Sequence, residues 1–151
     1  SAGTTSMYKH ILIATDGSGL AEKAVAAGLT LAEELKAKVT AITVTEPWAA
    51  VAVGEIGLAF PYQEYEKGAA EHAARILATV SDAAKARGLD CATVHIPGRY
   101  AAEGIVDCAN EKGCDLIVMA SHGRRGLSKL LLGSETIRVL THSSVPVLVC
   151  R

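Results

Sequence analysis

The sequence predicts an α/β protein in which a five-stranded, mainly parallel sheet is covered by helices on both faces, a three-layer αβα sandwich. Three observations carry that prediction. Apolar runs of strand length alternate with longer segments of helical period, which is the signature of βαβ units. The strand-like runs are nearly continuous in Ile, Val and Leu rather than alternating with polar residues, as in strands covered on both faces. Two of the turns that follow them are polar and rich in glycine, at the strand ends where doubly wound sheets bind ligands.

The first strand is read at His10–Ala14, the second at Val39–Thr45, the third at Cys91–Ile96, the fourth at Asp115–Ala120 and the last at Val145–Cys150. Between them Ala24, Gly28, Leu31 and Leu35 recur at helical spacing, as do Ala73, Ile76, Leu77, Val80 and Ala84, and then Ala102, Ile105, Val106 and Ala109. Each set makes one apolar stripe. A short fourth helix is expected from Ser134, whose hydroxyl is expected to cap the first turn, to a point before Ser143. Right-handed crossovers put these helices on both sides of the sheet. The connection from Glu46 to Pro61 has no pattern of its own, and Trp48 and Phe60 within it are read as pinning it to the body in preference to a role in ligand binding.

At 151 residues the chain has the size of one domain, assigned to residues 7–151; Ser1 to Ser6 precede Met7 and read as an expression remnant. Half the residues are apolar and 21% are charged, the balance of a folded globule. A net charge of −1 gives no overall drive toward nucleic acid or an anionic membrane, so neither is expected as a partner. No apolar run nears the roughly 18 to 20 residues that cross a bilayer, and no leader pattern opens the chain, so a cytoplasmic location is expected. Cys91, Cys108, Cys114 and Cys150 form no C-x-x-C pair and lie in or beside apolar segments, as small buried hydrophobes do. The histidines lack H-x-x-x-H and H-E-x-x-H spacing, so no preformed metal site is expected.

After the first strand comes Ala14-Thr15-Asp16-Gly17-Ser18-Gly19, a tight polar turn before a helix. Asp16 there could accept hydrogen bonds from a ligand or cap the helix, and capping is the preferred role of such a residue taken alone. After the fourth strand comes Ser121-His122-Gly123-Arg124-Arg125-Gly126-Leu127-Ser128-Lys129, leading to Gly133-Ser134-Glu135-Thr136. Glycines that allow close backbone approach, three cations and a helix start together suit a phosphate. A solvated loop face is the alternative for the same arginines. No G-x-G-x-x-G follows the first strand and no Walker loop can be drawn, so neither a nicotinamide dehydrogenase nor a P-loop NTPase is supported. Asp16 stands alone, without the acidic cluster of a phosphoacceptor receiver domain.

Taken together, Ile11 to Ser18, Asp115 to Arg124, Leu131 to Ser134 and Val145 to Val149 resemble the universal stress protein family, in its nucleotide-binding branch. That branch carries a glycine, two residues, a glycine, nine residues, then Gly-Ser or Gly-Thr. Gly123, the nine residues Arg124 to Leu132, and Gly133-Ser134 fit at full spacing, while Ala120 replaces the first glycine. The resemblance implies a Rossmann-like sheet of the adenine nucleotide alpha hydrolase-like kind. It implies that Ala14, Thr15 and Asp16 face the adenosine, that Val44 borders the adenine, and that Met119 and Ala120 line the ribose side. Gly123, Gly133, Ser134 and Thr136 would hold the phosphates, with Arg124, Arg125 and Gly126 as their neighbours. Glu135 lies beside them and would have to point away or help to hold Mg²⁺.

The family also implies a homodimer through Val145–Cys150, an apolar edge strand in which Pro146 is tolerated. Function is accordingly expected to be that of an ATP-binding stress-response protein, a dimeric sensor or regulator with an unknown protein partner and ATP, with Mg²⁺, as its ligand. Two alternatives stand beside it. One is a slow ATPase or autophosphorylating enzyme, for which His122, Ser128 and Ser134 are candidates with nothing to single one out. The other is a dimeric interaction protein that no longer binds nucleotide, for which Ala120 and Glu135 speak.

Overall fold

Ile11, Leu12 and Ile13 are wholly buried, and they make β1 (His10–Ala14) the middle strand of a five-stranded sheet in the computed structural model, which describes residues 7–52, 61–123 and 132–151. The chain continues through α1 (Gly19–Leu35), β2 (Lys38–Val44), α2 (Trp48–Ala52), α3 (Tyr62–Ala86), β3 (Cys91–Ile96), α4 (Ala101–Lys112), β4 (Leu116–Ala120), α5 (Ser134–His142) and β5 (Val147–Cys150). The sheet order is β3-β2-β1-β4-β5, and all four neighbouring pairs are parallel. The predicted doubly wound αβα sandwich is present. Strand order reverses between β1 and β4, so their carboxyl ends border the crevice where such sheets take ligands.

Successive side chains of a strand point to opposite faces. Ile11, Ile13, Val39 and Val118 therefore pack on one face against Ala24 and Leu29 of α1 and Leu77 and Val80 of α3. Leu12, Ile42, Ile117 and Met119 pack on the other against Ile105 and Cys108 of α4 and Val139 of α5. Both faces of the central strands are covered by helices, which is why β1 and β4 read as nearly continuous apolar runs.

Element ends differ from the sequence reading where side chains or proline intervene. Asp115 stands outside β4 because its carboxylate accepts the backbone N–H groups of Lys9 (2.9 Å) and His10 (3.1 Å), tying the approach to β4 to the start of β1. β5 starts at Val147, two residues later than predicted. Pro146 has no N–H to give the ladder, although its carbonyl accepts from Ile117 N at 3.0 Å. Ser143 meanwhile closes a turn on Val145. Ser134 is the first residue of α5 rather than its cap; the cap position is Gly133, with no side-chain bond to the helix start.

The patternless connection contains one short helix, α2, and α3 begins at Tyr62, well before its apolar stripe. Trp48 packs edge-on against Tyr62 with ring centroids 5.9 Å apart, and the Tyr65 hydroxyl donates to Glu46 O at 2.7 Å, so α2 is tied to the first turn of α3. Trp48 thus serves the pinning role read for it; Phe60 lies outside the described residues.

Cys108 and Cys114 are buried in the α4 layer, and burial pushes the Cys114 thiol up to about 11. Two histidines join neighbouring strands through threonine hydroxyls: His10 to Thr40 at 2.7 Å, and His95 to Thr45. Burial lowers the pKa of both, and Lys38 adds to the effect at His10. An imidazole with a depressed folded pKa binds fewer protons in the native than in the unfolded chain, so stability rises with pH. Its contribution is intact above about 6.5 and is lost as pH falls through the lower folded value. Urea midpoints are expected to fall between pH 7 and pH 5, and to fall less steeply in His10→Gln and His95→Gln. Equal slopes for wild type and variants would exclude these two groups as the cause.

Candidate functional site

A cleft of about 650 Å³ opens at the carboxyl ends of β1, β2 and β4, bordered by the N-terminal turns of α4 and α5. Its floor is apolar, with Ile42, Val44, Ile105 and Met119 at one end. The other end is polar, with Asp16, Gly123, Gly133 and Ser134. A flat apolar group and an anion attached to it would each find a matching end.

The turn after β1 is fixed by its own side chains. Thr15 N donates to Ile42 O at 3.0 Å, and the Thr15 hydroxyl accepts from Gly17 N at 3.1 Å. Asp16 Oδ1 accepts from Ser18 N at 2.9 Å, and the Ser18 hydroxyl caps α1 by accepting from Ala21 N at 3.3 Å. Capping therefore falls to Ser18, while the Asp16 carboxylate closes the turn and faces the loop after β4. A Cβ placed on Gly123 would stand 2.9 Å from Asp16 Oδ2, which measures how closely the two turns approach across the cleft.

On the β4 side, Ser121 N donates to Cys150 O at 2.7 Å and Gly133 N donates to Ser121 O at 2.8 Å, so the chain entering α5 is clipped to the end of the sheet. The Thr136 hydroxyl, 3% exposed, donates to Ala120 O at 3.0 Å and holds α5 in the same place. With Gly133 as a cap without a side chain, the first N–H groups of α5 have no carbonyl within the helix to bond, and the residues that carry them, Ser134, Glu135 and Thr136, line the cleft. Ala120 itself has an ordinary extended backbone: it pairs with Cys150 in the β4–β5 ladder, and Lys36 is the one non-glycine residue with positive φ among those described. Its methyl joins the core cluster shared with α1 and α3. Alanine at this position does not have the left-handed backbone that would demand glycine.

Glu135 does not turn its carboxylate toward Gly133. Oε2 accepts from Ala102 N, in the first turn of α4, at 2.7 Å, and Oε1 accepts from Arg138 Nη1 at 3.1 Å. Tyr100, the residue before α4, makes no side-chain cap, so Glu135 supplies from α5 the acceptor that α4 lacks locally. Among the described residues no group of three His, Cys, Asp or Glu is placed to hold a metal ion.

A family model for the universal stress protein family matches residues 7–151. The chain belongs to that family. Universal stress protein MJ0531 of Methanocaldococcus jannaschii is 35% identical over 145 residues, spanning 96% of this chain and 83% of that protein. Among solved structures, protein MJ0577 superposes with a TM-score of 0.77 at 30% identity, over 95% of this chain and 96% of its own. A universal stress protein in complex with cAMP superposes with a TM-score of 0.68 at 26% identity, over 95% of this chain and 97% of that one.

In this universal stress protein the cleft brings together most residues singled out in the sequence: Ala14, Thr15, Asp16, Val44, Met119, Ala120, Gly123, Gly133, Ser134, Glu135 and Thr136 all line it. Arg124, Arg125 and Gly126, with Ser128 and Lys129, lie outside the described residues. The wall contributed by Tyr100, Ala101 and Arg138 was not read from the sequence. Ile105 was read only as part of a core stripe. A search of the turn after the third strand, the one strand-to-helix turn left unread, would have found Tyr100 and Ala101.

Proposed function

We propose that this universal stress protein binds an adenine nucleotide in the cleft and acts as a dimeric, cytoplasmic regulator whose surface responds to occupancy. The observation that carries the reading is the division of the cleft: an apolar floor from Ile42, Val44 and Met119 for the base, and the uncapped start of α5 behind Gly133 for phosphate. The related protein solved with cAMP supports an adenine nucleotide as the ligand class. ATP with Mg²⁺ is the proposed ligand. Without a set of three metal-binding groups among the described residues, the ion would arrive on the phosphates, with Asp16 as its protein-side oxygen, since the Glu135 carboxylate is turned to Ala102 and Arg138.

Isothermal titration with ATP and Mg²⁺, repeated with AMP and GTP, tests the proposal. Saturable binding of ATP or AMP with weaker GTP binding supports it; no heat with any of the three overturns it.

Dimerisation is proposed through β5, which is an edge of the sheet. Leu148 on β5 and Ile137 and Leu140 on α5 are 42%, 49% and 43% exposed, an apolar group that a second copy would cover. The same group favours the second reading, a dimeric interaction protein without nucleotide. Sedimentation equilibrium is expected to give a dimer for wild type and a monomer for Leu148→Lys, since a charge at the centre of such a pairing is left buried and unpaired. A monomeric wild type removes the dimer from both readings.

A further inference from the structure

We propose that Arg138 is a phosphate-recognition residue of this cleft, held on Glu135 until an anionic ligand takes its guanidinium. The proposal rests on the nucleotide reading of the same cleft. Among the described residues lining it, Arg138 is the only lysine or arginine, against the carboxylates of Asp16, Glu46 and Glu135. Side chains on a helix lean toward its N-terminus. Arg138, one turn beyond Ser134, therefore carries its guanidinium back over the first turn of α5, and its bond to Glu135 Oε1 at 3.1 Å fixes it there.

The two partners of that bond are not equally held. Glu135 is anchored by the backbone N–H of Ala102 at 2.7 Å and has a side chain 30% exposed. Arg138 has a side chain 59% exposed. A solvated ion pair of this kind contributes little to stability, so breaking it costs little. A guanidinium presents five donors in a fork that matches phosphate oxygens in pairs, and such charge-assisted bonds are among the strongest a side chain makes. A phosphate beside Gly133 and Ser134 would draw Arg138 off Glu135. The carboxylate would stay on the first turn of α4, whose positive end favours a negative charge. Glu135 is thus a positioning residue, and Arg138 discriminates a nucleotide from its nucleoside.

Isothermal titration of the full chain with AMP and with adenosine tests this, with melting temperatures as a check on folding. Arg138→Gln is expected to weaken AMP about tenfold and leave adenosine unchanged, since one charge-assisted bond is lost. Glu135→Gln keeps an acceptor for Ala102 N–H and is expected to tighten AMP about threefold, again without effect on adenosine. A structural role for either residue would move both ligands together. If wild type prefers AMP to adenosine and Arg138→Gln keeps the same ratio, the proposal falls and the nucleotide reading stands. If wild type binds neither ligand, the reading falls and takes the proposal with it.

Discussion

Replacing Gly133 with tryptophan is expected to lower adenine-nucleotide affinity by on the order of a hundredfold or more, a magnitude typical of misplacing groups that must converge on one ligand. The cause is backbone, not side chain. A Cβ at position 133 would stand 3.1 Å from His122 Cα and 3.2 Å from His122 Cβ, with Ser121 O at 3.4 Å. None of these can swing aside as the tip of a long side chain would. Either the strand-to-loop turn after β4 or the start of α5 must move, and the bond from Gly133 N to Ser121 O at 2.8 Å is the first to stretch. The indole would then fill the polar end of the cleft. Because Gly133 lies at the rim of the sheet and its φ of −65° suits any residue, the core should survive, with a melting temperature lowered by only a few degrees. Titration of the variant with ATP and Mg²⁺ checks this. An affinity equal to wild type would place the ligand elsewhere on the molecule, and Gly133→Ala should fall between the two.

The central strands were legible in the sequence because burial on both faces leaves them almost wholly apolar, and β1 runs as read; β3 also runs as read, although it is only partly buried. The start of β4 shifted because a long-range partner decides it: Asp115 bonds Lys9 and His10, which no local pattern records. The first half of α3 was illegible for the opposite reason. Gln63, Glu64, Glu66 and Lys67 are exposed, so no apolar stripe announces a helix there. In the site, the turns after β1 and β4 were legible because their chemistry is contiguous in the chain. Tyr100 and Arg138 were not, because they enter the cleft only through the sheet order and through the seating of α4 on β2. That seating depends on Gly104, where a Cβ would stand 2.8 Å from Val44 Cγ2. Glu135 looked hostile to a phosphate only while its own partners, Ala102 N and Arg138, were unknown.

The second large effect is expected in the core, where Ile13→Ala should cost about 2–5 kcal/mol. For a chain of this length that is a melting point lower by about 5–15 °C, with an unchanged dependence on urea concentration. Ile13 is wholly buried on the middle strand and packs against α1 at Gly28. A Cβ on Gly28 would meet Ile13 Cδ1 at 2.7 Å and Cγ1 at 2.9 Å, so the helix backbone already rests on the isoleucine. Truncating Ile13 therefore opens a cavity facing Gly28, which has no side chain to fill it. The two positions should couple with opposite signs. Gly28→Ala alone inserts a methyl where Ile13 stands and should destabilise, whereas in the Ile13→Ala background the same methyl fills part of the cavity and should restore stability. Residues in contact through a shared cavity depart from additivity by about 0.5–3 kcal/mol, which a double-mutant cycle in urea resolves. Additive effects would mean that α1 does not lie on β1 in this way. The turn carrying Thr15 and Asp16 runs from β1 to α1, so the same cycle measured on nucleotide affinity would report how far the cleft depends on that packing.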